Sequence, residues 1–203
     1  MSKFLAACLI VFTGFCTRPP VRQPQRTDAP VRQPQQIDVE PDRYAVYSAL
    51  LTQFLVDEPA KVLVIQNETE DEDPGGPTDW SNVKKELAPA SQPAVDDFKA
   101  RNVKPSAIEN KFSVPAKVMF ISKAEVERLF AEGGGWWEAF YKQYPKSAGL
   151  VTFSNVGFNS EMNYALVYFG YGCGGLCGRG GHMLLIKKEG KWTIEDRLSL
   201  WVS

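Results

Sequence analysis

The sequence predicts an α+β fold in which N-terminal helices pack on a C-terminal antiparallel β-meander of about four to five strands. The last third of the chain consists of apolar runs with partial alternation, joined by short turns, which is typical of consecutive antiparallel strands. Helical periodicity lies earlier, at 43–56, 94–101, 123–132 and 136–144. A repeated βαβ series with a glycine-rich phosphate loop is not indicated, so a nucleotide-binding sheet is not expected and no cofactor is predicted.

The first sixteen residues have the pattern of a secretory signal. Lys3 precedes an apolar stretch at 4–12, and small and turn-forming residues follow. This pattern predicts an extracytoplasmic location, in the periplasm, the cell envelope or the medium. Cys16 lies where a lipid anchor could attach, but the bulky Phe15 before it departs from the small residues of a lipoprotein box. Simple cleavage and lipidation at Cys16 both stay open, and the second is the only membrane association predicted.

Residues 17–42 are predicted to be a proline-rich, disordered linker. The hexapeptide PVRQPQ occurs at 20–25 and again at 30–35. Repeated proline blocks helix and sheet hydrogen bonding and favours an extended polyproline II conformation. A spacer is favoured over a ligand for a proline-binding groove, because no large apolar anchor accompanies the prolines.

A single globular domain is predicted from 43 to 203. Its first helix, 43–56, is assigned Asp42 as its N-cap, and the apolar runs at 61–66 and 118–121 are predicted strands. Ser122 and Glu125 form a capping box that opens the helix 123–132, whose Val126, Leu129 and Phe130 are expected to face inward.

The helix 136–144 ends before Pro145, and the meander follows it. Glu189-Gly190 is predicted to be a two-residue hairpin turn of the primed type. The strands are expected at 149–158, 163–171, 182–188 and 191–202.

The chemically distinctive segment is a predicted loop at 171–182, because seven glycines lie between 170 and 181. Cys173 and Cys177 are the only cysteines after the predicted signal. In an oxidising compartment they are expected to form a disulfide within the loop. Two alternatives stay open: a zinc site of Cys173, Cys177 and His182, and a redox pair, although neither has diagnostic spacing.

The sequence predicts a binding or accessory module rather than an enzyme, and no catalytic residue is nominated. The expected partner is an envelope protein, a peptide or a small molecule, whereas the net charge of −1 argues against nucleic acid. The alternative is a small hydrolase or isomerase that uses His182 with Glu195 or Asp196. The candidate binding residues are two aromatic residues of the last helix and three residues of the glycine-rich segment, namely Trp136, Trp137, Tyr171, Arg179 and His182.

The C-terminal part also resembles a known family. The stretches VGFN at 156–159, ALVY at 165–168 and CGGLCG at 173–178, with GKW at 190–192, are similar to a family of uncharacterised bacterial exported proteins. That family has no assigned activity, so the resemblance implies export but no function.

Overall fold

The computed structural model of the chain describes residues 39–70, 78–131 and 135–203. The predicted signal sequence, Cys16 and residues 17–38 of the predicted linker lie outside the described residues, and their assignments stay predictions. In chain order the described elements are α1 (Glu40–Asp57), β1 (Val62–Gln66), α2 (Trp80–Glu86), a 3-10 turn (Pro89–Ser91), α3 (Gln92–Arg101), β2 (Lys117–Ile121), α4 (Lys123–Ala131), α5 (Trp136–Gln143), β3 (Ser147–Phe153), β4 (Gly157–Phe158), β5 (Tyr164–Gly174), β6 (Cys177–Lys188) and β7 (Lys191–Val202).

The described strands form one mixed sheet in the order β2-β1-β3-β5-β6-β7, with β4 paired to β5. The α+β class is confirmed, and β3, β5, β6 and β7 are the predicted antiparallel meander. The sheet is larger than the meander, because β1 pairs in parallel with both β2 and β3. The first half of the chain therefore contributes strands as well as helices.

One face of the sheet is covered by α1. Tyr47, Leu51 and Phe54 of this helix pack on inward-facing side chains of the strands, including Phe153 and Phe169. These residues are almost completely buried. Burial of so much apolar surface is the main stabilising contribution to this half of the domain.

The opposite face is covered by two separate groups of helices. Helices α2 and α3 pack on Leu166, Tyr168 and Leu184 of β5 and β6. Helices α4 and α5 pack on β1, β2 and β3, with Leu129 and Phe140 at the centre of that cluster. The two groups lie over different strands, and the candidate site described below lies over the strand segments between them.

One predicted helix cap, Asp42, is wrong, and a second, at Ser122 and Glu125, is confirmed in part. Helix α1 begins at Glu40, and Asp42 is not its cap. The Asp42 carboxylate instead accepts hydrogen bonds from Lys187 Nζ at 2.6 Å and from Trp192 Nε1 at 2.9 Å, which ties α1 to the β6–β7 hairpin.

At α4, Ser122 Oγ accepts from the Glu125 N–H as predicted. The Glu125 side chain does not complete the capping box, because it pairs with Arg128 at 2.9 Å. The predicted primed turn is confirmed, since both Glu189 (φ 52°) and Gly190 (φ 77°) have left-handed backbone angles. None of the helices in the described ranges combines the length and the apolar composition that crossing a membrane requires.

Candidate functional site

Four glycines lie on one face of β5 and β6, the face opposite α1. They form the cross-strand pairs Gly170–Gly180 and Gly172–Gly178, which we call the glycine patch. Two tryptophan rings approach this bare backbone. A Cβ atom at Gly172 would lie 3.3 Å from the Trp137 ring, and one at Gly180 would overlap the Trp201 indole. A side chain at position 180 would therefore displace the Trp201 ring, whereas one at position 172 would need only a small shift of Trp137.

Two residues of the glycine patch, Gly170 and Gly172, line a cavity of about 340 Å³ together with Trp137 and Trp201, and we call this cavity the aromatic groove. Phe130, Trp136 and Trp137 line one side, and Trp201 lines the other. Thr152 and Ser203 add hydroxyl groups, and no Asp, Glu, His, Lys or Arg side chain is among the described residues that line the groove. The groove is suited to an uncharged group.

The aromatic side chains of α4 and α5 form a continuous row. The ring centroids of Phe130 and Trp136 are 3.8 Å apart, and those of Trp136 and Trp137 are 3.9 Å apart. Phe130 was expected to face inward, but its side chain is 51% exposed. The neighbouring Leu129 occupies the buried position of that helical turn, so Phe130 packs on Trp136 at the edge of the groove.

The polar atoms around the groove are held in two different ways. Trp201 Nε1 donates to the Tyr168 hydroxyl at 2.9 Å. Trp137 Nε1 is buried and has no hydrogen-bond partner among the described residues, which is unusual for a buried indole N–H. Burial raises the pKa of Tyr168, more than its bond to Trp201 lowers it, so this phenol is neutral at physiological pH.

The predicted loop at 171–182 is instead a β-hairpin, because β5 and β6 continue through it on both sides. Cys173 and Cys177 form the predicted disulfide, with their Cα atoms 5.1 Å apart. The disulfide leaves no free thiol for the zinc hypothesis. A ring this short contributes about 2 kcal/mol by loop-closure entropy, so it fixes the hairpin tip more than it stabilises the domain.

The tip of this hairpin projects an apolar side chain. Leu176 lies between Gly175 and Cys177, which both line the groove, and its side chain is 92% exposed. On the other side, the Tyr141 hydroxyl of α5 donates to the Cys173 carbonyl at 2.9 Å and holds the hairpin against that helix. The disulfide and this hydrogen bond keep Leu176 at the edge of the groove.

Two predicted binding residues point to the α1 face of the sheet. The Tyr171 ring packs on Phe54, and its hydroxyl donates to the Ala148 carbonyl at 2.9 Å. Arg179 pairs with Glu58 at 3.3 Å. The structure brings Trp136 and Trp137 together in the groove, whereas the side chains of Tyr171 and Arg179 lie on the other face.

His182 is fully buried and does not line the aromatic groove. Its ring lies 4.9 Å from Trp80 and 5.3 Å from Phe98, beneath α2 and α3. Glu195 and Asp196 are exposed on β7. An enclosed imidazole does not reach a substrate in solvent, so this arrangement gives no support to a hydrolase or isomerase that would use these residues.

The sequence interpretation did not identify Trp201 as a residue of the groove, nor the glycines of β6 on which its ring packs. The signal was the two-residue spacing of the glycines at 170, 172 and 174 and at 178 and 180. Such spacing places glycine along one face of a strand, whereas glycine density alone was interpreted as a loop.

Among the described residues, no group of three or more His, Cys, Asp or Glu side chains could hold a metal ion. Comparisons with protein-family models, with curated proteins and with solved structures found no match to this chain.

Proposed function

We propose that this protein is an exported binding module whose aromatic groove receives an apolar side chain of a partner protein in the cell envelope. The observation that carries the proposal is the aromatic groove itself, in which Gly170 and Gly172 line a cavity together with the rings of Trp137 and Trp201. Each glycine in a strand costs about 0.5–1 kcal/mol relative to alanine. At the positions of the glycine patch the side chains of Trp137, Trp201 and Thr152 occupy the space that a Cβ atom would need, so the glycines position the residues that line the groove.

The surroundings of the groove favour a protein as the ligand. Phe130 and Leu176 are exposed apolar side chains at its edge, and exposed apolar groups beside a cavity are typical of protein interfaces. A sugar would need several polar side chains to pair its hydroxyl groups. The groove offers the hydroxyls of Thr152 and Ser203, whereas Trp137 Nε1 is buried, and the rest of its side-chain lining is largely aromatic or aliphatic.

Export is supported by two independent features. The first sixteen residues have the composition of a secretory signal, and a short-range disulfide persists where the compartment is oxidising. The intact mass of the natively produced protein tests this part. We expect a chain that lacks the signal sequence and takes up alkylating reagent on Cys173 and Cys177 only after reduction. A full-length chain with two freely reactive thiols would contradict export.

The groove is tested with a photo-reactive benzoylphenylalanine placed at position 176 of the full chain in the producing cell. The matched control carries it at Val103, which is 63% exposed and does not line the groove. We expect one protein adduct from position 176, no equivalent adduct from 103, and loss of the adduct when Trp137→Ala removes one wall of the groove. Equal labelling at both positions, or an adduct insensitive to Trp137→Ala, would refute a groove-bound partner.

The partner identified in this way is then titrated as a purified protein. Removal of an apolar anchor at an interface costs about 1–2 kcal/mol, so we expect Leu176→Ser to weaken the affinity about 5–30-fold. Val103→Ser is expected to leave the affinity unchanged. Because both residues are exposed, neither substitution should affect folding, which thermal unfolding checks.

A further inference from the structure

The aromatic groove and the exposed side chain of Leu176 are neighbours on the surface of the molecule. Gly175 and Cys177 both line the groove, and Leu176, the residue between them, is 92% exposed. Leu176 therefore lies at the edge of the groove of its own chain without filling it. One surface patch carries both an apolar cavity and an apolar side chain of the class that such a cavity receives.

This arrangement is self-complementary. A dimer with two-fold symmetry uses the same patch on both subunits, so that one residue contacts a second residue across the interface and the reverse contact forms as well. A side chain and a cavity that are neighbours on one patch meet in this way. A side chain and a cavity on opposite faces of a molecule would instead join subunits head to tail in an open chain.

The patch also lacks the charges that would oppose self-association. No Asp, Glu, His, Lys or Arg side chain is among the described residues that line the groove. Two-fold symmetry brings groups near the axis close to their own copies, so a charged patch would place like charges together. The basic residue near the tip of this hairpin, Arg179, pairs with Glu58 on the α1 face at 3.3 Å. A second copy therefore meets the groove without like-charge repulsion from its lining side chains.

The hairpin tip that carries Leu176 is held in place before any partner binds. The Cys173–Cys177 disulfide closes the tip, and the Tyr141 hydroxyl donates to the Cys173 carbonyl at 2.9 Å. A side chain on a fixed segment loses less conformational entropy on association than one on a mobile segment. Leu176 is thus suited to enter a cavity of another molecule.

The size of the patch sets the strength of the contact. The described residues that line the groove, together with Leu176, number about half of the 20–30 residues that each side of a standard interface contributes. A standard interface buries about 1,600 Å² in total, so this contact buries at most about 900 Å². Such an area corresponds to a weak, reversible dimer rather than to an obligate one.

We propose that the partner of the aromatic groove is a second copy of this chain, bound as a two-fold dimer in which Leu176 of each copy enters the groove of the other. This inference rests on the proposed function, because it names the partner of the same groove. The two contacts of the dimer are identical and form together, so a substitution in the chain affects both.

Sedimentation of the purified full chain over a concentration series tests the dimer. Leu176→Ser removes two anchors at once, each of them contributing at least about fivefold to affinity, so we expect dimerisation to weaken at least about 25-fold. Val103→Ser is the matched control at an exposed position outside the groove, and it should change nothing. A wild-type chain that stays monomeric at millimolar concentration, or equal dimerisation of the two variants, would overturn the proposal.

The insertion of Leu176 into the opposite groove has its own signature. Phe130→Ser removes an exposed part of the groove wall and leaves Leu176 in place. A heterodimer of the Leu176→Ser and Phe130→Ser chains keeps one intact contact. A heterodimer of the wild type and the double variant contains the same two substitutions, but each of its contacts lacks one of the two side chains.

Energy transfer between two differently labelled chains measures both heterodimers. We expect the first to bind at least about twofold more tightly than the second, because residues in contact are energetically coupled. Equal affinities would mean that Leu176 does not meet Phe130 of the other copy, and the proposal would be overturned.

The adduct formed by benzoylphenylalanine at position 176 distinguishes failure of this inference from failure of the proposed function. An adduct of two copies of the chain, lost in Trp137→Ala, supports the dimer. An adduct with a different protein that is also lost in Trp137→Ala would overturn the dimer and leave the proposed function standing. If no adduct depends on Trp137, both are overturned.

Discussion

The two faces of the β5–β6 hairpin differ in one respect, the volume of the side chains at alternating positions. Phe169 and Tyr171 point to α1 and are buried in an aromatic core. Gly170 and Gly172, which alternate with them, point to the other face and border the aromatic groove. The backbone and its hydrogen bonds are common to both faces. Alternation along a strand thus lets one segment stabilise the fold on one side and provide space on the other.

The largest effect is expected on the filled face. Phe153 is fully buried and contacts the rings of Tyr47 and Phe169. Phe153→Ala should lower the free energy of unfolding by about 3–5 kcal/mol, because it removes apolar contacts and leaves a cavity. Urea denaturation measures the change. The same substitution at the half-exposed Phe130 of the groove should cost less than about 1 kcal/mol. Equal losses would mean that the two faces do not differ as described.

A pH titration probes the same face without removing a ring. Burial raises the pKa of Tyr47 to about 12, despite the opposing effect of Arg43. Its hydroxyl donates to the Ser154 carbonyl at 2.7 Å. The folded state therefore holds the phenol proton more tightly than the unfolded state, whose tyrosine pKa is about 10.

The sign of the pH dependence follows from this difference. The contribution of Tyr47 is fully present below pH 10 and is lost as the pH rises from about 10 to about 12, by about 3 kcal/mol in total. Urea denaturation between pH 8 and pH 12 measures it, as the difference between the wild type and Tyr47→Phe. A difference that stays constant across this range would contradict the raised pKa.

Elements with strong local signals were predicted correctly. The Glu189-Gly190 turn requires two left-handed residues and is therefore evident from the sequence. Helix α5 begins after glycine and ends near Pro145, so its bounds differ by one residue from the prediction. The Cys173–Cys177 disulfide followed from close spacing on a glycine-rich chain.

The features that were missed depend on residues far apart in the sequence. No local pattern shows that β1 pairs in parallel with β3, since these strands are separated by most of the helices. Asp42 has the residue type and position of a cap, but its partners Lys187 and Trp192 lie on the last hairpin. Trp201 belongs to the groove because it pairs directly with Gly180 on the neighbouring strand β6. Long-range pairing, rather than propensity, determined each of these outcomes.

The smallest expected effect tests the open face itself. At Gly180, an added Cβ would overlap the Trp201 indole, so Gly180→Ala should displace that ring and weaken its hydrogen bond to Tyr168. We expect a loss of about 1–2 kcal/mol in the free energy of unfolding. Gly175→Ala is the matched control, because its Cβ would meet no atom within 4 Å.

This control should change stability by less than about 0.5 kcal/mol. Thermal unfolding gives both values, and the resonance of the Trp201 indole N–H reports whether the ring has moved. If the two alanine variants were equally stable and the indole resonance stayed in place, the Trp201 ring would not lie against the glycine patch. The space above β5 and β6 would then be wider than the groove described, and glycine would not be required at position 180.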